Sequence, residues 1–457
     1  MTVIAVVVFN VVRYYMVDTN RLIHPSLERF LLSEGTLKGE LLMPLLMMVV
    51  YYLSGAYDRV LLRSRLRELI NTVVCAFVGS LVFFFAAILN DISYSKLLNY
   101  EIFLVFMLVL IAFVYPPRLI LTNRTNRRIR RGRLAFNTLV VGTSDAARKV
   151  AADLAGRYRG MGLKVVGFVS TDADGRSTDS IDSLPVYDFE DIEYVVETGD
   201  IRNIIVMPHS DGRQATIEII NRLFPLDRSI LITPDLYGLM MVQPRLNSVG
   251  QMPLIDISRT EMPLSTLNIK RLSDVVISSL SLVVLSPLMA AIALAVKLDS
   301  RGPVFYRQER VGYHKRKFNI LKFRTMRIDA ESSGPQLSSE NDSRITRVGH
   351  YLRKYRLDEL PNFWNVLLGE MSIVGPRPER EFYIRQIIER APYYTLVHQV
   401  RPGITSWGMV QYGYAKSVDD MVERLSYDLI YLENVSFFVD MKILIYTIKT
   451  VVTGRGM

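Results

Sequence analysis

The sequence predicts three parts in chain order: an α-helical membrane region, an α/β Rossmann-like domain, and a membrane-associated C-terminal part with a re-entrant helix. Three observations lead to this prediction. Long apolar segments occupy residues 1–121, short β-rich runs alternate with helical segments over 136–260, and a Ser-Pro pair interrupts another apolar stretch at 272–297. These patterns are typical of membrane spans, parallel sheets and broken membrane helices, respectively.

The composition supports several structural units and limits the function classes. A chain of 457 residues is long enough for two or three domains. Hydrophobic residues make up 50% although 22% of residues are charged, so the apolar residues must be concentrated in a few segments. The single cysteine, Cys75, excludes a disulfide framework and a zinc site built on cysteine pairs. The net charge of +10 suits nucleic acid, lipid headgroups or a phosphorylated substrate.

Four segments within the first 121 residues are candidate membrane spans, since a helix crosses the bilayer with roughly 20 apolar residues. The predicted spans are residues 3–17, 41–57, 69–89 and 102–121. The first is the weakest, because it is short and contains Asn10 and Arg13. It lacks the basic start and the cleavage site of a signal peptide, so we interpret it as a marginal or truncated span.

Basic residues predict the orientation of these spans, because cytoplasmic loops are enriched in Lys and Arg. An arginine-rich linker at 122–135 follows the fourth span, whereas the loops around 18–40 and 90–101 have no basic excess. The loop after the second span carries Arg59, Arg63, Arg65 and Arg67. Everything after about residue 121 is therefore expected in the cytoplasm. A nucleic-acid patch is the alternative for the linker, but no aromatic side chains for base stacking interrupt it.

Residues 136–260 alternate between β-rich runs and helices, which predicts a parallel sheet in a Rossmann-like domain. The predicted strands are Leu139–Val141, Val165–Val169, Ile201–Met207 and Ile230–Ile232, and the predicted helices are 144–158 and 213–223. Gly142 allows a tight turn into a helix whose N-terminus could hold a phosphate. A dinucleotide fingerprint needs two further glycines, and Ser144 and Ala147 replace them. We therefore predict a scaffold without a cofactor, with a nucleotide-sugar oxidoreductase as the alternative.

The apolar stretch Leu272–Lys297 predicts a re-entrant helix pair. Basic residues flank both of its ends, which favours two cytoplasmic ends. Ser286 and Pro287 lie near its middle. Proline removes a backbone donor and breaks the helix, while a serine side chain can satisfy the carbonyl that is freed. The alternative is an ordinary span with a proline kink, which would place many Lys and Arg residues on the disfavoured side.

The C-terminal third surrounds an acid pair with positive charge. Nine Lys or Arg residues lie between 301 and 327, and Asp358 and Glu359 stand side by side within 353–378. One carboxylate of such a pair can attack phosphorus, the second can hold a divalent metal, and guanidinium groups can bind a diphosphate. By itself the dipeptide is typical of a solvated helix start, and the cations are typical of headgroup binding. Their occurrence together favours phosphoryl chemistry.

An ordered set of motifs in this third resembles the bacterial sugar transferase family, the monotopic polyprenyl-phosphate phosphoglycosyl transferases. Besides the Ser-Pro pair, the motifs are GPVFYRQERVG, KFRTM, DSRITRVG, LDELPNFWNVLLGEMSIVGPRP and VRPGIT. The resemblance covers residues 265–457 and implies an α+β catalytic domain. With the four spans and the Rossmann-like domain, the whole chain resembles the large members that begin capsule, exopolysaccharide or O-antigen synthesis.

The resemblance also implies roles for individual residues. Asp358 would be the nucleophile, and Glu359 would position Mg²⁺. The residues that match phosphate-binding or site-shaping positions are Lys322, Arg324, Arg353 and Arg377. Two departures exist: Arg356 stands where the family often has serine, and GITSWGMVQYGYA replaces the common GITGWAQVNGR. The second departure bears on the identity of the donor sugar rather than on the reaction class.

The implied reaction transfers a sugar-1-phosphate from a nucleoside-diphosphate hexose, UDP-glucose or UDP-galactose, to undecaprenyl phosphate. It would proceed through a covalent aspartyl intermediate and release UMP. The resemblance places the catalytic domain on the cytoplasmic face of the bacterial inner membrane, with a homodimer as a plausible assembly and no nucleic-acid partner. A membrane scaffold for a polysaccharide assembly complex is the non-enzymatic alternative.

Overall fold

The structure is a computed structural model of the chain. It describes residues 1–57, 65–90, 96–171, 180–207, 213–233, 252, 254–258, 262–328, 330, 334, 336, 342–413 and 415–453. Arg59, Arg63 and Tyr414 lie outside the described residues. The chain forms two compact units: the first comprises residues 1–135, 159–162 and 263–269, and the second comprises 136–158, 163–262 and 270–457.

The first unit is a helical bundle, and its longer helices are apolar. Its helices are α1 Thr2–Met16, α2 Asp18–Ile23, α3 Leu27–Leu31, α4 Glu34–Leu53, α5 Arg65–Asn90 and α6 Lys96–Arg130. Helices α4, α5 and α6 are each long and apolar enough to cross a membrane. Helix α1 has only 15 residues, so the first predicted span falls short of a full crossing. The protein is therefore a membrane protein with a helical N-terminal region.

Polar side chains connect two of these membrane helices. Arg118 of α6 lies 3.2 Å from Glu68 of α5, and both side chains are largely buried. The Arg118 guanidinium also lies over the ring of Tyr51, 4.8 Å from its centre. Pairing of this kind satisfies charged groups within an apolar helix bundle. Arg118, which lies near the end of the fourth predicted span, is thus part of the bundle itself.

The Rossmann-like domain is built on a sheet of seven strands in the order β3-β4-β2-β1-β5-β6-β7. Its strands are β1 Phe136–Val141, β2 Leu163–Ser170, β3 Ser180–Ile181, β4 Leu184–Asp188, β5 Ile201–Val206, β6 Ser229–Ile232 and β7 Ile255–Asp256. The inner pairs are parallel, and the two edge strands are antiparallel. The predicted parallel sheet is therefore confirmed, and the two edge strands and β4 are additions to it.

Helices α7 Asp145–Ala155, α8 Ile192–Thr198 and α9 Arg213–Leu223 accompany this sheet. The turn before α7 shows what replaces the missing glycines. Gly142 has a φ of +113°, which an L-residue with a side chain rarely adopts. Ser144 is the N-cap, and its hydroxyl accepts from the Ala147 amide at 3.3 Å. A serine here stabilises the helix start by capping, so the departure from the fingerprint has a structural explanation.

The C-terminal part combines short sheets with helices. Its elements are α10 Leu264–Val284, α11 Ser286–Asp299, β8 Phe305–Val311, β9 Lys317–Phe323, α12 Arg347–Lys354, α13 Asn362–Leu368, β10 Ser372–Val374, α14 Glu381–Arg390, β11 Gly403–Thr405, α15 Trp407–Gln411, α16 Val418–Glu433 and α17 Phe437–Val452. Strands β8 and β9 form an antiparallel hairpin, whereas β10 and β11 are parallel. Apolar side chains from α13, β10, α16 and α17 pack into one of its cores.

Helices α10 and α11 meet at a break with a bend of 62°. Pro287 has no amide hydrogen, so the carbonyl of Val283, four residues earlier, loses its helical partner. The Ser286 hydroxyl donates to that carbonyl at 2.8 Å. The two residues therefore create the break and also satisfy the backbone group that it frees, which is a requirement inside a membrane.

The hairpin turn of β8 and β9 contacts the Rossmann-like domain within the second unit. The Lys315 ammonium donates to the Asn221 carbonyl at 2.8 Å, and Arg316 donates to the Asp227 carboxylate at 2.7 Å. His314 also bonds Asp227. These polar contacts join the end of α9 and the segment before β6 to the strand that carries Lys322.

Candidate active site

The acid pair lies in a short 3₁₀ turn, Leu357–Glu359, directly after α12. Helix α12 starts at a Thr346 cap, whose hydroxyl accepts from Gly349 at 3.0 Å. After α12 ends, Arg356 adopts a left-handed φ of +53°, which costs a non-glycine residue roughly 1–2 kcal/mol. This reversal separates α12 from the turn. Asp358 and Glu359 are only 9% and 5% exposed.

Two cations from distant segments bind the Glu359 carboxylate. The Lys322 ammonium, on β9, donates to its Oε1 at 2.6 Å. Arg377 Nη1 lies 3.6 Å from the same oxygen. Because all three side chains are largely buried, the attraction is stronger than at an exposed site. The structure therefore brings Glu359, Lys322 and Arg377 together.

The two carboxyl groups differ in proton affinity. Burial, with a smaller contribution from the neighbouring Glu359, raises the pKa of Asp358 to about 6 against the opposing attraction of Lys322 and Arg353. Burial also opposes ionisation of Glu359, but Lys322, Arg377 and Arg356 outweigh it and hold its pKa below the usual range. At neutral pH both groups are ionised, and Asp358 is the more basic of the two. A more basic carboxylate is the better nucleophile.

Asn365 fixes the strand that carries Lys322 to the helix that follows the acid pair. Its side-chain oxygen accepts from the Leu321 amide at 3.0 Å, and its nitrogen donates to the Asn319 carbonyl at 2.8 Å. Both contacts are with backbone groups of β9, so the Asn365 side chain pairs with this strand as the backbone of a neighbouring strand would. The register of β9 relative to α13 is thereby set, and with it the position of Lys322 beside Glu359.

The turn that carries Arg377 depends on two glycines. Gly375 and Gly403 cross so closely that a Cβ on Gly403 would lie 2.2 Å from the Gly375 nitrogen. Strand pairing of Val374 with Thr405 leads directly into this crossing. Only glycine tolerates such backbone contact. The Gly-Pro-Arg-Pro and Arg-Pro-Gly motifs are therefore two sides of one junction, and this junction positions Arg377.

A buried charge network behind Arg377 was not found by sequence reasoning. Glu379 accepts from Arg424 at 2.6 Å and from Arg310 at 3.3 Å. Arg310 also donates to the Pro378 carbonyl at 3.0 Å. The network holds the residues on the C-terminal side of Arg377. The acid directly after the Pro-Arg-Pro turn was the available signal, but its partners lie 45 and 69 residues away.

The two remaining predicted cations have different surroundings. Arg353 donates through Nε to the Thr325 hydroxyl at 2.8 Å and lowers the pKa of Asp358, so it lies within electrostatic reach of the acid pair. Arg324 is 5% exposed, and its guanidinium donates to the carbonyls of Ser300 and Arg301 at 2.7 and 2.8 Å. These contacts fix the end of α11 and give no support to a phosphate contact of Arg324.

The acid pair also provides the donors that Mg²⁺ prefers. Within the described ranges, no cluster of three or more His, Cys, Asp or Glu side chains surrounds a metal-sized site. Mg²⁺ is usually held by one or two carboxylates together with substrate phosphates, rather than by an all-protein cage. Glu359 accepts from Lys322 through Oε1, and its second oxygen is the group that suits a cation. The residues present therefore fit Mg²⁺ bound jointly with a diphosphate.

Two family models match the chain. The one described as bacterial sugar transferase matches residues 265–454, and the one described as CoA-binding domain matches residues 52–223. The undecaprenyl-phosphate galactose phosphotransferase of Salmonella typhimurium (strain LT2) is 30% identical over 337 residues, which cover 70% of this chain and 68% of that protein. The chain belongs to the bacterial sugar transferase family. Every candidate residue from Ser286 to Arg424 lies within the part that the family model matches.

Other relatives in the family are similar over shorter regions. A UDP-N-acetylgalactosamine-undecaprenyl-phosphate N-acetylgalactosaminephosphotransferase of Aeromonas hydrophila is 44% identical over 41% of this chain and 44% of its own length. The UDP-glucose:undecaprenyl-phosphate glucose-1-phosphate transferase of Escherichia coli (strain K12) is 37% identical over 55% of each chain. The chain thus matches about half the length of these two relatives.

Proposed function

We propose that the protein transfers a hexose-1-phosphate from a UDP-hexose to undecaprenyl phosphate and releases UMP. The observation that carries the proposal is the buried acid pair, in which Glu359 is held by Lys322 and Arg377 while Asp358 has a pKa of about 6. The names of the three relatives support the reaction class, because each includes undecaprenyl phosphate as a substrate. Their sugars differ, so UDP-glucose, UDP-galactose and UDP-N-acetylgalactosamine are the donors to test.

In the first proposed step, an oxygen of the Asp358 carboxylate attacks the phosphorus that bears the sugar. The bond from that phosphorus to the bridging oxygen breaks, and UMP leaves with the electron pair. In the second step, an oxygen of the lipid phosphate attacks the same phosphorus and displaces Asp358 as a free carboxylate. The products are a lipid-linked diphosphosugar and the unchanged enzyme. No proton transfer from the protein is required for either leaving group at neutral pH.

The surrounding residues explain how an anion can attack an anion. Lys322 and Arg377 hold Glu359 ionised and place positive charge beside the attack site. Guanidinium groups such as Arg377 bind phosphate oxygens with two parallel hydrogen bonds. Glu359 is the residue that would hold Mg²⁺, which neutralises charge on the diphosphate oxygens when bound. Asp358 has the higher pKa of the two carboxylates and is the proposed nucleophile.

We also propose that the site works at the cytoplasmic surface of the inner membrane, in the first membrane step of capsule, exopolysaccharide or O-antigen synthesis. Large apolar side chains remain exposed on α13 and α17, including Trp364, Leu368, Phe437 and Phe438. Such a surface suits the boundary between lipid headgroups and hydrocarbon. A re-entrant α10–α11 pair would return the chain to the face where the nucleotide sugar is made.

The test is UMP release by the purified full chain in lipid bilayers containing undecaprenyl phosphate, with the three UDP-hexoses offered separately. We expect release with at least one donor, and a covalent adduct of Asp358 with the mass of that donor's sugar phosphate when the lipid phosphate is omitted. Asp358→Asn should form no adduct, and Glu359→Gln should form it much more slowly. Normal turnover by Asp358→Asn would refute the covalent mechanism. UMP release by none of the donors would refute the reaction.

A further inference from the structure

The first turns of α10 contain charged residues that bind other segments of the C-terminal part. Arg271 donates to the carbonyls of Val366 and Leu367 at 2.6 and 2.9 Å. These carbonyls lie in the last turn of α13, where a helix leaves carbonyl oxygens without intrahelical partners. Arg271 therefore binds the end of the helix that begins three residues after Glu359.

One turn later, Asp274 binds the strand that leads to Arg377. Its Oδ2 accepts from the Ser372 hydroxyl at 2.7 Å, and its Oδ1 accepts from the Ile373 amide at 3.1 Å. Asp274 is only 4% exposed. Because both oxygens bind adjacent residues of β10, they fix the position of the strand as well as its rotation. Arg377 follows the end of β10 by three residues.

The two contacts therefore control the two segments that must meet in the active site. Asp274 holds β10, which leads to Arg377, and Arg271 holds α13, which follows Glu359. Arg377 Nη1 lies 3.6 Å from Glu359 Oε1 where these two segments meet. We propose that Arg271 and Asp274 are positioning residues through which the membrane helix sets the separation between Arg377 and Glu359. The inference rests on the proposed function for its effect on turnover, but not for its structural effect.

The chemistry of Asp274 supports positioning rather than simple anchoring. An apolar residue would pack an apolar helix against the domain at lower cost, because a buried carboxylate must recover its lost hydration through hydrogen bonds. The preceding turn of α10 is already anchored elsewhere, since Lys270 binds Asp440 of α17 at 2.5 Å. Asp274 adds a directional contact with β10 that apolar packing cannot provide.

The test compares Asp274→Ala and Asp274→Asn with Ser278→Ala in the full chain in lipid. Ser278 lies one turn further along α10, is 0% exposed, and its hydroxyl has no hydrogen-bond partner among the described residues. It is a matched control, because the substitution removes a buried polar group from the same helix without affecting β10. Hydrogen–deuterium exchange over residues 372–377 reports the strand, and UMP release from the active UDP-hexose reports turnover.

We expect exchange of the Ile373 amide to be at least tenfold faster in Asp274→Ala and unchanged in Ser278→Ala. The kcat should fall about 10–100-fold, as is usual when a residue that orients a site is lost, with a smaller change in KM. Asp274→Asn keeps an acceptor for the Ile373 amide, so it should retain part of the protection of that amide from exchange and part of the wild-type kcat. If Asp274→Ala does not fold, Asp274→Asn alone carries the comparison with the control.

Two results would overturn the inference. The first is exchange over 372–377 that is the same in the Asp274 variants as in Ser278→Ala. The second is faster exchange with wild-type kcat, which would leave the contact structural. If the wild-type chain releases UMP from none of the donors, the proposed function fails, and the exchange comparison still decides whether Asp274 positions β10.

Discussion

Replacing Lys322 by Met removes the cation that contacts the acid pair most closely. The Lys322 ammonium lies 2.6 Å from Glu359 Oε1, and it is the strongest attraction acting on both carboxylates. The apolar side chain keeps a similar volume, so the packing of β9 should be retained. The change therefore isolates charge from shape at this position.

The structure gives the expected size of the effect. Breaking a buried ion pair usually costs about 3–5 kcal/mol. Because Arg377 remains 3.6 Å from Glu359, we expect the free energy of unfolding to fall by about 3 kcal/mol. The pKa of Asp358 is about 6 with Lys322 present, and it must rise when this attraction is lost. A rise of about one unit corresponds to 1.36 kcal/mol. At pH 7 the nucleophile would then be about half protonated instead of about 10%.

The assay is the rate of adduct formation with a subsaturating UDP-hexose, measured from pH 5 to pH 9 in a single turnover. Only ionised Asp358 can attack, so the wild-type rate should fall as the pH decreases through about 6. In Lys322→Met the midpoint should move upward. Any lost phosphate contact lowers the whole profile but does not move its midpoint, so the two effects can be separated.

Lys317→Met is the matched control. Lys317 lies on the same strand, is half exposed, and binds Glu309 and Glu381 away from the acid pair. Its profile should keep the wild-type midpoint. A midpoint in Lys322→Met that equals that of Lys317→Met would refute the assignment of Lys322 as the residue that keeps the acid pair ionised.

Three further predictions concern the metal, the topology and the helix break. Excess EDTA should abolish UMP release and added Mg²⁺ should restore it; undiminished release in EDTA would contradict the metal assignment. For the topology, single cysteines are introduced in a Cys75→Ser background and treated with an impermeant thiol reagent in intact cells. The reagent should label Glu28→Cys but neither Glu193→Cys nor Glu433→Cys, because the re-entrant interpretation places residues 193 and 433 on the cytoplasmic side. Labelling of Glu433→Cys would refute the re-entrant interpretation. Pro287→Leu restores the amide donor for the Val283 carbonyl, so it should favour a continuous helix that crosses the membrane. Glu433→Cys should then be labelled by the reagent, and turnover should fall. An unlabelled, fully active variant would show that the break does not determine the topology.

The sequence by itself determined the features that depend on local chemistry. Apolar length and β-rich alternation predicted the membrane helices and the parallel sheet, because both patterns act over a few residues. The break between α10 and α11 was equally local. Pro287 and Val283 are four residues apart, which is the spacing of the missing hydrogen bond, and Ser286 is adjacent. The acid pair was also visible, since its two members are neighbours in the chain.

Only the tertiary structure determines which basic side chain pairs with which carboxylate. Nine basic residues lie between 301 and 327, and one of them, Lys322, reaches Glu359 across 37 residues of sequence. Arg324, two residues later, instead donates to the Ser300 carbonyl at the end of α11. Asp274 meets Ser372 across 98 residues, which no local pattern could predict. The physical reason is that the charge of a side chain is fixed by its type, whereas its partner depends on which backbone segments packing brings within about 3 Å of it.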